Sequence, residues 1–415
     1  MIVDRLAFIL RVLAAALLGV GTAVAAGPPV DGADGQTAPS ERVQDPTPLA
    51  APNSLFPEMG PTLSPNPTPA NLDLGPWFGR LYATGAVSGL GLWQSNPLPD
   101  DNRAYADIAN GMVFLQTASA PVQFVVQAGI YAIPTLGEPY TRASELNGSL
   151  WGPVPQAYVK LVPADSFSIQ IGRLPSLLGA EADFTFQNVN IARGLLTSQE
   201  NTINQGVQLN YTIGPVALSA SVNDGFFTGR FNWLTGSVTY TIDDNNALIF
   251  GAGGNFGSNR EDTFRAPIAQ SNSTIYNIIY EHSSGPWTVT PYVQYTHVPN
   301  NSALQSAGYT QAASTIGVAA IAAYSFNENW KLGGRGEYIS SSGSFDDGAP
   351  ELVTGGPGVK SWSLTLTPSF QYDKFFARGE VSYVGLSKTS PGFAFGSSGN
   401  DNTQIQVLFE AGILF

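Results

Sequence analysis

Two short motifs combine an arginine and a glutamate at a spacing that could act on ions. Arg335 precedes Glu337 and Arg378 precedes Glu380, with one glycine between the members of each pair. In a β-strand, side chains at positions i and i+2 project to the same side. The two pairs could therefore line an aqueous channel as a charged ladder, or they could form internal salt bridges that brace the fold. The sequence leaves both interpretations open.

Other charged side chains fall on the same polar surface or in the longest polar connection. The alternation of their neighbours places Lys160, Glu281 and Glu410 on the polar face of predicted strands. Carboxylates on a loop inside a channel, opposite basic wall residues, would create a transverse field that filters ions. The alternative is that this connection lies as a lid on the outer surface. The connection comprises residues 174–204, and its charged candidates are Glu181, Asp183, Arg193 and Glu200.

The sequence offers little for catalysis or metal binding. It contains two histidines, His282 and His297, and no cysteine. It has no Gly-x-Ser-x-Gly nucleophile motif, and a zinc site needs a denser set of ligands. We therefore expect no enzymatic activity, no cofactor and no metal. The net charge of −13 also argues against a nucleic-acid partner.

The charged pairs lie in segments where apolar and polar residues alternate. Residues 403–415 place every second side chain, from Ile405 to Phe415, on one apolar face, with Gln404, Gln406 and Glu410 on the other. This period of two is the signature of a strand with one apolar and one polar surface. The same alternation recurs along the chain from residue 77 onward.

The connections between these segments alternate in length. Short turns, such as Gly214-Pro215 and Asp373-Lys374, separate longer polar stretches. Outer-membrane barrels have short periplasmic turns and long external loops. The pattern predicts an all-β protein that is a transmembrane antiparallel up-and-down barrel of about sixteen strands, within a range of 14–18.

The first 76 residues differ from the rest. Arg5 and Arg11 precede an apolar run that is too short to span a membrane, and small residues follow up to Ala26. We predict a cleaved signal peptide over residues 1–26 and export to the outer membrane. Residues 27–76 contain 12 prolines, which favours an extended periplasmic linker, with a plug in the barrel as the alternative.

Several features resemble outer-membrane porins of the β-barrel porin-2, or OmpL-like, family. The final strand ends in Phe415, similar to the assembly signal that the outer-membrane insertion machinery reads. Residues 172–174 (Gly-Arg-Leu) and 178–181 (Leu-Gly-Ala-Glu) resemble a local motif of the family, and Gly206 lies in the strand that follows. The resemblance implies a barrel over residues 77–415 whose third long loop folds inward and narrows the channel.

Together these observations predict a porin for passive diffusion of small hydrophilic solutes or ions, with weak cation selectivity because the chain is acidic. The alternative is a plugged barrel that acts as a receptor, an adhesin or a structural protein. Expected partners are outer-membrane lipid and lipopolysaccharide, the assembly machinery, small hydrophilic solutes and, as in many porins, two further copies in a homotrimer. The predicted pore wall consists of Lys160, Glu281, Arg335, Glu337, Arg378, Glu380 and Glu410.

Overall fold

The computed structural model describes residues 59–415. The predicted signal peptide and the first part of the proline-rich segment, up to residue 58, lie outside the described residues. In the described part of the chain, no helix is both long enough and apolar enough to cross a membrane.

Sixteen long strands form a closed antiparallel barrel in which each strand pairs with the next. The last strand pairs with the first long one, from Gln406 opposite Gln94 to Leu414 opposite Ala86, and this closes the barrel. The predicted fold class and strand number are confirmed. The strands are β2 (Arg80–Gln94), β3 (Ala104–Ala118), β4 (Val122–Tyr131), β5 (Gln156–Ala164), β6 (Phe167–Pro175), β7 (Ile203–Ile213), β8 (Val216–Asn223), β9 (Trp233–Asp243), β10 (Asn246–Asn255), β11 (Thr274–Ser284), β12 (Trp287–Val298), β13 (Ala313–Ser325), β14 (Trp330–Ser341), β15 (Lys360–Tyr372), β16 (Phe375–Ser387) and β17 (Thr403–Leu414).

A short additional strand, β1 (Ala70–Asp73), completes one end of the barrel. The backbone of Phe415 exchanges hydrogen bonds with Gly85 of β2, and below that point the edge of β2 has no partner from β17. β1 pairs there with Arg80–Ala83. Within residues 59–415 the helical elements are α1 (Ala143–Ser149), α2 (Ile268–Ser271), α3 (Ser302–Ser306) and two 3-10 turns, Thr185–Gln187 and Leu196–Gln199.

The alternation of residues explains why the sheet closes. On β15, Leu364 and Leu366 are each 60% exposed, whereas Ser363 and Thr365 between them are buried. A soluble protein would hide the leucines, but a sheet that faces lipid must place them outside and its polar groups inside. Closing the sheet also satisfies the backbone groups of every edge, which lipid cannot hydrogen-bond.

The short turns use backbone conformations that suit tight reversals. Gly214 begins the turn between β7 and β8 with φ of 54°, and Asp373 begins the turn between β15 and β16 with φ of 50°. Glycine and aspartate tolerate this left-handed region better than other residues. These turns define one end of the barrel, called here the short-turn end.

Candidate functional site

The connection between β6 and β7, residues 176–202, lies inside the barrel and is called here the inner loop. The side chain of Asn190 donates to Thr367 on β15 at 2.7 Å, and Gln294 on β12 donates to the carbonyl of Leu196 at 2.9 Å. Both wall residues point inward, so the loop crosses the interior and contacts the wall opposite its own strands.

Aromatic packing holds the N-terminal half of the inner loop in place. Phe184 and Phe186 are fully buried. The ring of Phe186 meets that of Phe114 on β3 edge-on at 5.8 Å, and the ring of Phe184 meets that of Tyr131 on β4 at 5.3 Å. Such pairs add roughly 0.5–1.5 kcal/mol beyond the burial of their area.

The carboxylate of Glu380 binds the backbone of the inner loop. It accepts hydrogen bonds from the amides of Ile191 at 2.5 Å and Ala192 at 3.0 Å, and from the hydroxyl of Thr367 at 2.8 Å. A loop inside a barrel has backbone groups that neither a helix nor a sheet satisfies. Glu380 therefore supplies acceptors that the loop needs in order to remain inside.

Arg378 supplies the complementary donors. Its guanidinium donates to the carbonyls of Thr185 at 2.8 Å, Asn188 at 3.1 Å and Val189 at 2.9 Å. It also lies 3.7 Å from the carboxylate of Glu410, which in turn accepts from the hydroxyl of Thr185 at 2.7 Å. Hydrogen bonds to charged groups are roughly twice as strong as neutral ones.

Arg335 joins the wall to the loop a third time. It lies 2.5 Å from Glu181 of the inner loop and 3.1 Å from Glu337 of its own strand, and it donates to the carbonyl of Ala192 at 2.7 Å. The amide of Leu196 donates to Glu337 at 3.4 Å. Removing one member of such a buried ion pair typically costs about 3–5 kcal/mol.

The five predicted wall charges on β14, β16 and β17 share one environment. All five point into the barrel, and all are buried beneath the inner loop, with exposed fractions between 0% and 6%. They contact the loop and one another, so they brace the interior. The five are Arg335, Glu337, Arg378, Glu380 and Glu410.

The remaining predicted residues lie apart from this group. Lys160 faces inward on β5 and is half-buried, and Glu281 is exposed near the short-turn end of β11. Within the loop, Arg193 lies 3.7 Å from Asp183. The parallel bridge between Arg193 and Thr135 ties the loop to the connection that follows β4.

Glu200 is the most unusual acid in the loop. It is 5% exposed, and neither carboxylate oxygen has a hydrogen-bond partner among the described residues. Burial raises its pKa well above the usual range, and the charges of Glu181 and Glu337 raise it further. Burial also raises the pKa of Asp183 to about 6, although Arg193 opposes this. These acids therefore carry less charge than their number suggests.

A cavity of about 710 Å³ lies between the inner loop and the short-turn end of β9–β13. Its described lining contains no lysine and no arginine. The acidic residues that line it are Glu181, Asp183, Asp243, Asp244 and Glu281.

A smaller cavity of about 160 Å³ lies on the long-loop side of the inner loop. Glu138 and Glu351 are the charged residues in its described lining. Both side chains keep solvent-accessible surface, but the protein around them limits the hydration of the carboxylates and raises the pKa of each, that of Glu351 to about 7. Both cavities are therefore lined by acids without lysine or arginine, and His282 is the one histidine in their described lining.

The wall formed by β6–β9 has a different inner face. Its polar inward side chains are mainly hydroxyls and amides, and these bond mainly to one another. Asn210 donates to Ser168 at 3.2 Å and accepts from Ser219 at 2.8 Å, and Asn223 donates to Thr235 at 3.0 Å. Ser237 and Thr241 of this wall line the larger cavity, together with Asp243 at the end of β9.

No group of three or more His, Cys, Asp or Glu side chains within residues 59–415 is placed to hold a metal ion. The two histidines bond to neutral side chains at strand ends. His282 pairs with Asn246 at 2.8 Å and His297 with Ser314 at 2.9 Å.

Sequence reasoning did not find several residues that matter here. Thr185, Asn190 and Thr367 connect the loop to the wall, but serine, threonine and asparagine are common throughout the strands and loops. The contacts of residues 59–64 with the loop were also missed, because their proline-rich setting suggested an extended segment.

Solved structures share this architecture. An anion-selective porin from Comamonas acidovorans aligns over 81% of this chain and 99% of its own, with 9% identity and a TM-score of 0.56. The outer-membrane channel DcaP of Acinetobacter baumannii aligns over 81% and 97%, with 12% identity and a TM-score of 0.53. A trimer form of the outer-membrane protein OmpT of Vibrio cholerae aligns over 81% and 99%, with 10% identity and a TM-score of 0.51. At these identities the likeness shows the fold alone.

A search of curated proteins found no significant match. The model of the family described as beta-barrel porin-2, OmpL-like, matches residues 80–415, which is the whole barrel. This agrees with the resemblance of the final strand and of residues 172–181. The chain therefore belongs to the OmpL-like beta-barrel porin-2 family of outer-membrane proteins.

Proposed function

We propose that this outer-membrane barrel is a diffusion channel for small hydrophilic solutes with a preference for cations, narrowed by the inner loop. The observation that carries the proposal is the charge of the two cavities. Both are lined by carboxylates, with no lysine or arginine in their described lining. Rings or clusters of acidic side chains favour cations over anions in a narrow aqueous passage.

The basic wall residues do not offset this acidity. Arg335 is fully buried between Glu181 and Glu337, and Arg378 is fully buried beside Glu410. Each arginine is thus balanced by acids within its own cluster and is shielded from the cavities by the loop. A solute that enters the larger cavity from the short-turn end would meet the carboxylates of Asp243 and Asp244 first, because they lie at that edge.

The fold itself does not decide selectivity. The Comamonas acidovorans porin is anion-selective and has the same architecture. Selectivity must therefore follow from the lining, which differs freely between chains of 9% identity.

The test is the reversal potential of the refolded protein in a planar bilayer under a salt gradient. We expect ohmic steps in the current and a reversal potential whose sign shows that cations pass more readily than anions. Glu281→Gln should reduce that potential, whereas Glu328→Gln, at an exposed turn outside both cavities, should leave it unchanged. A potential of the opposite sign would contradict cation preference.

A second candidate is a barrel without an open pore, serving as a receptor, an adhesin or a structural protein. The close packing of the inner loop against β14–β17 favours it, because those contacts fill one side of the interior. The same bilayer experiment separates the two candidates, since a folded barrel that passes no current would support this second one.

We also infer that the protein is exported by a signal peptide over residues 1–26, is inserted through recognition of Phe415, and assembles as a homotrimer surrounded by lipid and lipopolysaccharide. The trimer form of Vibrio cholerae OmpT supports the last point. Light scattering of the detergent-solubilised protein should give about three times the mass of the chain, and a value of one chain would contradict the trimer.

A further inference from the structure

A short segment before the barrel lies directly beneath the inner loop. We call Met59–Ser64 the strap. The amide of Gly60 donates to the carbonyl of Gln187 at 2.7 Å. The hydroxyl of Thr62 lies 3.2 Å from the carbonyl of Asn188 and 3.3 Å from that of Val189. The strap therefore binds three consecutive carbonyls of the loop.

The contact is too close for a side chain at position 60. A Cβ added to Gly60 would lie 2.6 Å from the carbonyl oxygen of Gln187 and 3.3 Å from the carbonyl carbon of Asn188. Both atoms belong to the backbone and cannot rotate away. Any other residue here would force the strap and the loop apart.

The other end of the strap is fixed to the barrel wall. The amide of Ser64 donates to the side chain of Gln371 at 2.7 Å, and that side chain donates back to the carbonyl of Ser64 at 2.9 Å. Leu63 is 3% exposed and packs in the apolar cluster that contains Phe186 and Phe376. The bonds to Gln371 on β15 therefore anchor the strap in the wall independently of its contact with the loop.

The same part of the loop is also held from the wall. Arg378 donates to the carbonyls of Asn188 and Val189, which are the two that face Thr62. Residues 187–189 therefore lie between a wall arginine and the strap. Met59, Gly60 and Pro61 line the larger cavity together with residues 187–189.

We propose that the strap is a positioning element of the channel, in which Gly60 and Thr62 fix residues 187–189 of the inner loop and thereby set the width of the passage beside them. The inference rests on the proposed channel function. A loop held only by the wall could swing into the cavity that it borders, whereas a loop held from both sides keeps one position. The strap thus adds to selectivity through geometry and carries no charge into the passage.

The first test compares Thr62→Val with Thr68→Val in the full chain. Thr68 is exposed and bonds only to Asn66, so it is a matched control for the loss of a hydroxyl. In single-channel records, Thr62→Val should show transitions to altered conductance levels about tenfold more often than the control. This factor corresponds to a buried hydrogen bond of about 1.4 kcal/mol. Gly60→Ala should show a larger effect in the same direction.

A second measurement does not depend on conductance. Amide hydrogen exchange of a peptide covering residues 185–195 should be about tenfold faster in Thr62→Val than in Thr68→Val, while exchange in β15 and β16 stays the same. This measurement also tests the strap if Gly60→Ala fails to assemble, because it uses only the two threonine variants.

The outcomes separate the two proposals. Equal hydrogen-exchange rates and equal single-channel records in Thr62→Val and Thr68→Val would overturn the proposed role of the strap. Faster exchange in Thr62→Val would support the proposed role of the strap in holding the inner loop. If the unmodified protein passed no current, that absence of current would overturn the channel proposal, whatever the exchange rates.

Discussion

Two four-strand parts of the barrel wall, β14–β17 and β6–β9, present different side chains to the interior. The inner face of β14–β17, the covered wall, carries Arg335, Glu337, Arg378, Glu380 and Glu410, and the inner loop lies on it. The inner face of β6–β9, the neutral wall, carries hydroxyls, amides and small or apolar residues from Ser168 to Thr241, and its one acid, Asp243, lies at the short-turn end of β9. The loop therefore rests on the charged side and leaves the neutral side next to the cavity.

The difference follows from what each wall can offer a loop. Irregular backbone inside a barrel needs strong donors and acceptors, and ionised side chains supply them best. On the neutral wall, Asn210 already bonds to Ser168 and Ser219, so those groups are satisfied without the loop. Inward charges can therefore hold a constriction in place, while the charges that meet the solute lie elsewhere.

The largest effect is expected when the covered wall loses Arg378. Arg378→Met leaves Glu410 buried without its cation and three loop carbonyls without their donor, so the free energy of unfolding should fall by about 3–5 kcal/mol. Chemical denaturation in detergent measures this. Lys160→Met, an inward charge on β5 away from the loop's salt bridges, should change it by less than about 0.5 kcal/mol. Equal losses of unfolding free energy in Arg378→Met and Lys160→Met would contradict a special role for the charges of the covered wall.

Glu380→Gln should have a smaller effect than loss of Arg378. The amide keeps one acceptor oxygen but cannot accept from both Ile191 and Ala192 as strongly as a carboxylate, so we expect a loss of about 1.5–3 kcal/mol. Faster hydrogen exchange at residues 190–196 should accompany it. Glu281→Gln, which changes an exposed acid in the same way, should alter neither quantity.

The pH should change selectivity through acids outside the covered wall. A carboxyl group with a raised pKa loses its negative charge as the pH falls through that pKa. The pKa of Asp183 is raised to about 6 by burial, and that of Glu351 to about 7 because the surrounding protein limits the hydration of its carboxylate. Cation preference in the reversal potential should therefore decline between about pH 7 and pH 5. Glu351→Gln should flatten the upper part of this decline, and a curve that is unaltered by this variant would assign the effect to other groups.

The smallest effect is expected on the neutral wall. Ser219→Ala removes one hydrogen bond to Asn210, so the free energy of unfolding should fall by about 0.5–1.5 kcal/mol. Exchange of the inner loop should remain as in the unmodified protein. If Ser219→Ala loosened the loop as much as Glu380→Gln does, the loop would depend on both walls.

The sequence alone determined the barrel, its sixteen strands and the inward direction of Arg335, Glu337, Arg378, Glu380 and Glu410. These features depend on alternation along one strand and on the length of each connection, which are local properties of the chain. The acidic character of the chain was equally plain from composition.

Only the tertiary structure decided which inward charges meet the cavity. Arg378 lies 193 residues from Thr185, and Glu380 lies 189 residues from Ile191, so no local pattern encodes these bonds. The side of the barrel on which the inner loop rests, and the contact of Thr62 with Asn188, depend on the closed sheet bringing distant strands together. A charged side chain on the inner face can brace the inner loop or face the passage. Which of the two it does depends on whether other residues cover it, and that is decided by packing in the interior.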